Sequence, residues 1–376
     1  MDTTRKTKGL QERLQDGGTI VIAEGYLLEF ERRGYLKAGG FVPEVVIEHP
    51  NLVRTLHEEF VHAGSDVVEA FTYYGNREKL RSIGREDDLE KLNKTALRIA
   101  REVADETGTL MAGNICVTGV FSAEDKDSHE TTRNMFIEQV KWAVEGGCDF
   151  IIAETFGYLG EAMLALEVIK EHAKGIPAVV TLTAFVPDVT LDKVPFPDAC
   201  RMLELAGAAA VGLNCTRGPN TMLPLLREIR KVCQGPIAAL PVPMNTTDKC
   251  RTMYSLKDPQ TGELMYPENI NGFICNRKEV RRFAKEAKEI GVQYIGLCCG
   301  DAANLLREIA EEYDRTPPSS RYAPDMSNNI MIGEAGEKVS KEGGMVRRYS
   351  LGDFTQEELE SLHKSAKKLD IHHEHE

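Results

Sequence analysis

Eight short apolar runs, each followed by a segment of helical spacing, leave this sequence very few folds to choose from. The runs fall at 19–22, 66–70, 110–116, 150–153, 178–185, 209–214, 237–243 and 294–297. They are largely unbroken by polar residues, as strands covered on both faces are. The helical segments fall at 50–63, 88–107, 131–145, 160–173, 198–205, 219–232, 277–290 and 301–313. In the first of these, Leu52, Leu56, Phe60 and Ala63 recur every three or four residues, with charged groups on the other face. Several helices stop at glycine just before the next strand, at Gly64, Gly146-Gly147, Gly207 and Gly291, where a left-handed cap costs little. Eight such units in roughly 300 residues predict an α/β fold, a (β/α)8 TIM barrel. The alternative is an open doubly wound sheet, but no GxGxxG follows any of the runs.

Two stretches are too long for ordinary connections. Residues 245–276 form a long βα loop after strand 7 on the expected catalytic face, a candidate lid. The chain therefore divides into a barrel at 10–315 and a C-terminal extension at 316–376, with one more amphipathic helix at 355–369. Such an extension suits an oligomerisation arm, and a homo-oligomer is expected.

With 59 acidic against 46 basic residues, the formal charge of -13 argues against nonspecific nucleic-acid binding. The polar N-terminus lacks a signal-peptide core, and no run of about 18 apolar residues predicts a membrane span. Nine cysteines, an odd number scattered through apolar settings, read as reduced thiols of a cytoplasmic protein.

The eight-unit frame has a chemical consequence. Residues at the carboxyl ends of barrel strands meet at one mouth. Strand six ends at Asn214-Cys215 and strand eight at Cys298-Cys299-Gly300, which brings three sulfurs to one rim. Three cysteines suit a soft divalent ion, Zn²⁺, and leave its fourth position for a substrate sulfur. Successive side chains of a regular strand point to opposite faces, so Gly300 must turn the chain for both vicinal thiols to reach inward. Free cysteine is also among the most buried residue types, so core packing is the competing reading for each thiol. Cys116, at the end of strand three, is the one substitute from chain order. No histidine occurs between His172 and His363, so a site on these strands must be sulfur-rich. His57 and His62 lie about 140° apart round a helix and do not form a zincin pair. They read as surface or interhelical histidines, and His372, His373 and His375 as part of a frayed end.

The stretches Val211–Cys215 and Tyr294–Gly300 resemble the zinc-binding segments of the homocysteine S-methyltransferase family. Val67–Tyr74, Ile151–Phe156 and Arg32–Gly39 extend the likeness, which is strongest to the betaine-using branch and covers roughly 10–313. The resemblance implies Zn²⁺ on Cys215, Cys298 and Cys299, with L-homocysteine sulfur at the open position and a methylated onium small molecule as donor. It assigns the homocysteine amino group to Glu24 and Glu154, and the donor side to Tyr74 and its neighbours. Gly25, Phe41, Phe71, Thr72, Tyr73, Thr155 and Asn214 are the further substrate-binding candidates. From chemistry alone, Glu24 and Glu154 end strands one and four, where carboxylates can accept from an ammonium. The aromatics near the same rim can stabilise a quaternary cation.

This chain departs from the family at three of these positions. It has Glu24 where relatives have aspartate, Phe41 where the betaine branch has tryptophan, and Thr155 where relatives have tyrosine. The donor is therefore glycine betaine or a related quaternary amine, or else a sulfonium such as S-methylmethionine or a sulfoniopropionate. A noncatalytic zinc-stabilised barrel is the rival of another class, and it predicts a fourth protein ligand. A metal-free lyase barrel is a third, but it lacks a rim lysine.

Overall fold

The computed structural model describes residues 8–15, 17–322, 324–329, 331, 333, 348 and 350–370. Eight strands form a single parallel sheet: β1 Ile20–Ala23, β2 Val67–Glu69, β3 Leu110–Cys116, β4 Phe150–Phe156, β5 Ala178–Leu182, β6 Ala210–Asn214, β7 Ile237–Leu240 and β8 Val292–Leu297. The order β1-β8-β7-β6-β5-β4-β3-β2 is that of a ring opened between β1 and β2. A side chain helps to close this seam. Asp66 donates its N–H to Val21 O at 2.8 Å and accepts the Val21 N–H on its carboxylate at 2.8 Å. The expected TIM barrel is thus the observed fold.

The strand residues are buried apart from a half-buried Gln293, because helices cover the outside and side chains fill the inside. Ile20, Ile22, Val67, Leu110, Phe150 and Tyr294 pack within the barrel, and Leu10 and Leu14 of helix Leu10–Gln15 close its base. The outer layer includes Pro50–His62, Leu89–Thr107, Lys126–Glu145, Leu159–His172, Phe196–Leu205, Pro219–Val232, Arg277–Ile290 and Ala303–Glu312.

The short helices Tyr26–Arg32 and Arg77–Ser82 were not expected from spacing. Two turns carry too few residues to establish a helical period. Two strand ends also differ from expectation. β4 runs on to Phe156 because the polar side chains of Glu154 and Thr155 find partners inside the barrel. β5 stops at Leu182, and the apolar run beyond it becomes part of the loop at the mouth.

The chain divides into two compact units, Met1–Ser320 and Arg321–Glu376. Within the second, helix Gln356–Asp370 is capped reciprocally: Glu358 N–H donates to Thr355 Oγ1 at 3.2 Å, and Thr355 N–H to Glu358 Oε2 at 2.8 Å. His372, His373 and His375 lie outside the described residues. Among the described residues, no helix is long and apolar enough to cross a membrane.

Candidate active site

Cys215 follows β6 directly, and its backbone is held at φ 57, with Thr216 at φ 51. Left-handed conformations at residues other than glycine are uncommon and persist where surrounding contacts enforce them. Here Cys215 N–H donates to Leu240 O at 2.9 Å, and the Thr183 hydroxyl donates to Thr216 Oγ1 at 3.0 Å. After β8 the chain turns back, Asp301 N–H donating to Cys298 O at 2.9 Å with Gly300 at φ 95. A positive φ at the third position of such a turn calls for glycine. The two constraints bring Cys215 Sγ to 3.7 Å from Cys299 Sγ, and Cys299 Sγ to 4.0 Å from Cys298 Sγ. All three sulfurs lie within 4.8 Å of one another, and among the described residues no fourth His, Cys, Asp or Glu joins that group. Hydrogen bonds from Cys298 and then Cys299 hold the Cys215 thiol well below the usual range, while the other two are raised well above it.

Beneath the sulfurs lies a narrow inner cavity bordered by Glu24, Glu69, Glu154, Tyr26, Phe71 and Tyr73, with Cys298 and Cys299 at its upper wall. Oxygens of Glu24 and Glu154 lie within 4.8 Å of Cys298 Sγ. Two amides knit the acids together. Asn114 Nδ2 donates to Glu69 Oε1 and Glu154 Oε1, each at 2.5 Å. Asn214 Nδ2 donates to Glu154 Oε2 at 2.6 Å and to Glu24 Oε2 at 3.3 Å. Burial raises the carboxyls of Glu24 and Glu69 well above the usual range and that of Glu154 to about 7. Charge on neighbouring carboxylates adds to the rise at Glu24 and Glu69.

Above the sulfurs the walls are aromatic. Phe41, Tyr73, Tyr74, Tyr254 and Tyr266 surround Cys215 and Cys299. The Tyr254 and Tyr266 rings meet edge-on at 4.7 Å, and Tyr73 and Tyr74 are tilted together at 4.5 Å. Lys79 Nζ already sits 3.8 Å from the Tyr74 ring centroid, so one face of that ring is taken. Apart from the two cysteines, no ionisable group other than tyrosine borders this cage among the described residues.

The structure thus gathers Cys215, Cys298, Cys299, Glu24, Glu154, Phe41, Phe71, Tyr73, Tyr74 and Asn214 at one mouth. Three other candidates support the site without walling either cavity. A Cβ on Gly25 would fall 2.6 Å from Asp301 Cβ, so glycine there lets the end of β1 approach the turn that carries the vicinal cysteines. Thr72 turns its hydroxyl to Asn114 O at 2.8 Å. Thr155, at φ 63 beside an irregularity in the β4–β5 pairing, donates its N–H to Asn214 Oδ1 at 3.0 Å and its hydroxyl to Glu154 Oε2 at 3.1 Å. Cys116 does not join the three-sulfur group, and its sulfur accepts the Tyr74 N–H at 3.2 Å. His57 is interhelical, its Nδ1 lying 3.1 Å from the Tyr26 hydroxyl.

Glu69, Asn114, Tyr254 and Tyr266 were missed from sequence. The first two carried a signal, a polar residue inside an apolar run. The tyrosines carried none, because nothing in the spacing of a long loop shows which way it folds.

The chain belongs to the homocysteine S-methyltransferase family, whose model matches residues 15–313. It is 32% identical over 314 residues to "Betaine--homocysteine S-methyltransferase 1" of Mus musculus, covering 81% of this chain and 74% of that protein. It is 34% identical over 310 residues to "S-methylmethionine--homocysteine S-methyltransferase BHMT2" of Pongo abelii, covering 81% of each. Among solved structures, the metallated form of the homocysteine methyltransferase MmuM from Escherichia coli matches with a TM-score of 0.63 at 17% identity. That match covers 79% of this chain and 97% of MmuM, and it shows the shared fold.

Proposed function

We propose that this chain transfers a methyl group from an onium donor to L-homocysteine, giving methionine and the demethylated donor. The carrying observation is that Cys299 borders both cavities, the acidic one below and the aromatic one above. An acceptor sulfur placed at the cysteines would have a site for its ammonium beneath it and a cationic methyl donor in front of it.

The donor set fits Zn²⁺, held by Cys215, Cys298 and Cys299. Tetrahedral zinc with bonds of about 2.3 Å keeps its sulfurs about 3.8 Å apart, and the structure has Cys299 Sγ at 3.7 and 4.0 Å from the other two, with all three within 4.8 Å. When bound, zinc would lower the acceptor thiol's pKa and leave a fourth position for it.

The chain's own side chains align and desolvate the reactants. The ammonium goes to the acidic cavity, where the family resemblance singles out Glu24 and Glu154. Phe41, Tyr73, Tyr254 and Tyr266 present π faces and edges to the onium, and Tyr74 offers it the ring surface that Lys79 leaves uncovered. Held in line, the thiolate displaces a neutral leaving group, so no general acid is needed at the departing atom.

Glycine betaine or a related quaternary ammonium compound is the proposed donor. S-methylmethionine or another sulfonium is the second reading, favoured by Phe41 standing where the betaine branch has tryptophan. Nine free cysteines support a reducing compartment, the cytoplasm. The test is an assay of zinc-loaded protein with homocysteine and a panel of onium compounds, following methionine by mass spectrometry. Methionine from glycine betaine is expected. Turnover with S-methylmethionine alone would move the protein to the sulfonium reading, and silence across the panel would overturn the activity.

A further inference from the structure

Tyr74 stands in the aromatic wall with its backbone at φ 59, a conformation that a bulky residue keeps only where its surroundings enforce it. The enforcing contacts lie behind the wall. The Tyr74 N–H donates to Cys116 Sγ at 3.2 Å, and the Gly75 N–H closes a turn onto Thr72 O at 2.7 Å. A Cβ on Gly75 would fall 2.9 Å from Thr72 O and 3.1 Å from Leu92 Cδ2, so the turn is packed closely on that side. The Gly75 carbonyl is taken by two side-chain amides from two different helices. Asn93 Nδ2, on Leu89–Thr107, donates to it at 2.8 Å, and Gln139 Nε2, on Lys126–Glu145, at 3.3 Å. Asn93 is anchored in turn to Leu89 O at 2.9 Å, and its Oδ1 lies 3.5 Å from the Gln139 amide nitrogen. Both residues interrupt the apolar faces of their helices, at 1% and 4% exposure. An apolar side chain at either place would bury no polar group, so the bond to Gly75 is what accounts for the amides.

From two amides converging on one carbonyl, we infer that Asn93 and Gln139 are positioning residues for the methyl donor. They pin Gly75, and through it they hold the Tyr74 ring beside the sulfurs. Neither borders either cavity. Tyr74 borders the aromatic cavity and not the acidic one, so the pair acts on the donor and bypasses homocysteine. With the carbonyl released, Tyr74 relaxes toward negative φ and its ring leaves the cage. This rests on the donor-side reading of Tyr74 above and adds to it a control of donor affinity from the outer helix layer.

The experiment is steady-state kinetics of zinc-loaded wild type, Asn93→Leu, Gln139→Met and the double variant, using whichever of glycine betaine and S-methylmethionine is turned over. Homocysteine binding by calorimetry, metal content and melting are followed in parallel. One remaining amide still satisfies the carbonyl, so each single variant should raise the donor KM by only about twofold. The double variant buries the carbonyl unpaired and should raise it at least about tenfold, more than the two single effects multiplied. Its Kd for homocysteine should match wild type, and its zinc should stay stoichiometric. Gly75→Ala, which pushes the same turn with both amides in place, should show the same split between donor and homocysteine, and it decides the matter if the double variant does not fold. A double variant that melts lower yet keeps the wild-type donor KM overturns the positioning role, and so does an equal loss for donor and homocysteine. A wild type silent with every onium overturns methyl transfer itself and this role with it.

Discussion

The two ends of the barrel treat their polar groups in opposite ways. At the base, Arg315 donates to Asp66 Oδ2 at 2.7 and 3.1 Å, to Thr19 O at 2.7 Å, to Thr19 Oγ1 at 3.0 Å and to Tyr313 O at 2.9 Å. Gln293 Nε2 likewise donates to Leu14 O and Gly18 O, each at 3.0 Å. At the mouth, Phe41, Tyr74, Thr155, Cys215 and Thr216 all sit at positive φ, and buried oxygens of Glu24 and Glu69 lack partners. Strain and unmet hydrogen bonds persist only where the rest of the fold over-determines the geometry. The base supplies stability, and the mouth spends part of it on groups left ready for a ligand.

The sharpest way to break this contrast is at the sulfurs. Cys298→Ser should lose stoichiometric zinc and at least about a thousandfold in turnover, since one ligand of three is removed. Elemental analysis beside the methionine assay checks both, and retained metal with normal turnover would remove Cys298 from the ligand set.

Next in size is the base. Arg315→Ala should lower unfolding free energy by about 2–3 kcal/mol, because it strands a partly buried Asp66 and removes several bonds. Turnover per folded molecule should not change. Denaturant unfolding beside the assay decides, and a lost activity with unchanged stability would reverse the roles of the two ends.

His57 tests the layer behind the mouth. Burial, reinforced by the Arg54 guanidinium, pushes its imidazole down to about 3. Against an unfolded value of about 6.5, the native state binds fewer protons as pH falls. Its contribution is therefore complete above about 6.5 and shrinks toward pH 3, by up to about 1.4 kcal/mol per pH unit. His57→Gln should flatten the stability profile between pH 7 and pH 5 relative to wild type. Identical profiles would mean that the imidazole is not held neutral.

The smallest effect belongs to the cage. Tyr254→Leu should raise the KM for the onium donor about fivefold, the scale of one cation–π contact. The KM for homocysteine should stay near wild type. Equal changes in both would place Tyr254 outside the donor side.

Much of this was legible in the sequence because it depends on period and chain order. Unbroken apolar runs alternating with helical spacing imply a parallel barrel, and strand ends in a barrel share a mouth. Cys215, Cys298 and Cys299 could be brought together on that basis despite their separation along the chain. Glu24 and Glu154 came from the family resemblance, with their places at the ends of strands one and four in support. Glu69 escaped because it sits in an apolar run where an acid reads as an interruption, although its position on β2 puts it on the same inward row. Thr72, Thr155 and Gly25 lie near the mouth as expected, but their contacts with Asn114, Asn214 and Asp301 emerge only in the structure, since adjacency in sequence does not say which way a side chain turns.

What the sequence settled by itself was the architecture and the rim: which strands exist, where they end, and therefore which residue types meet at the mouth. Only the tertiary structure decided which oxygens are already occupied, which tyrosines from the long loop complete the cage, and how β6 and β8 bend to bring their sulfurs within reach. Period and order are properties of the chain, whereas a hydrogen-bond partner is chosen in competition among groups that only folding brings together.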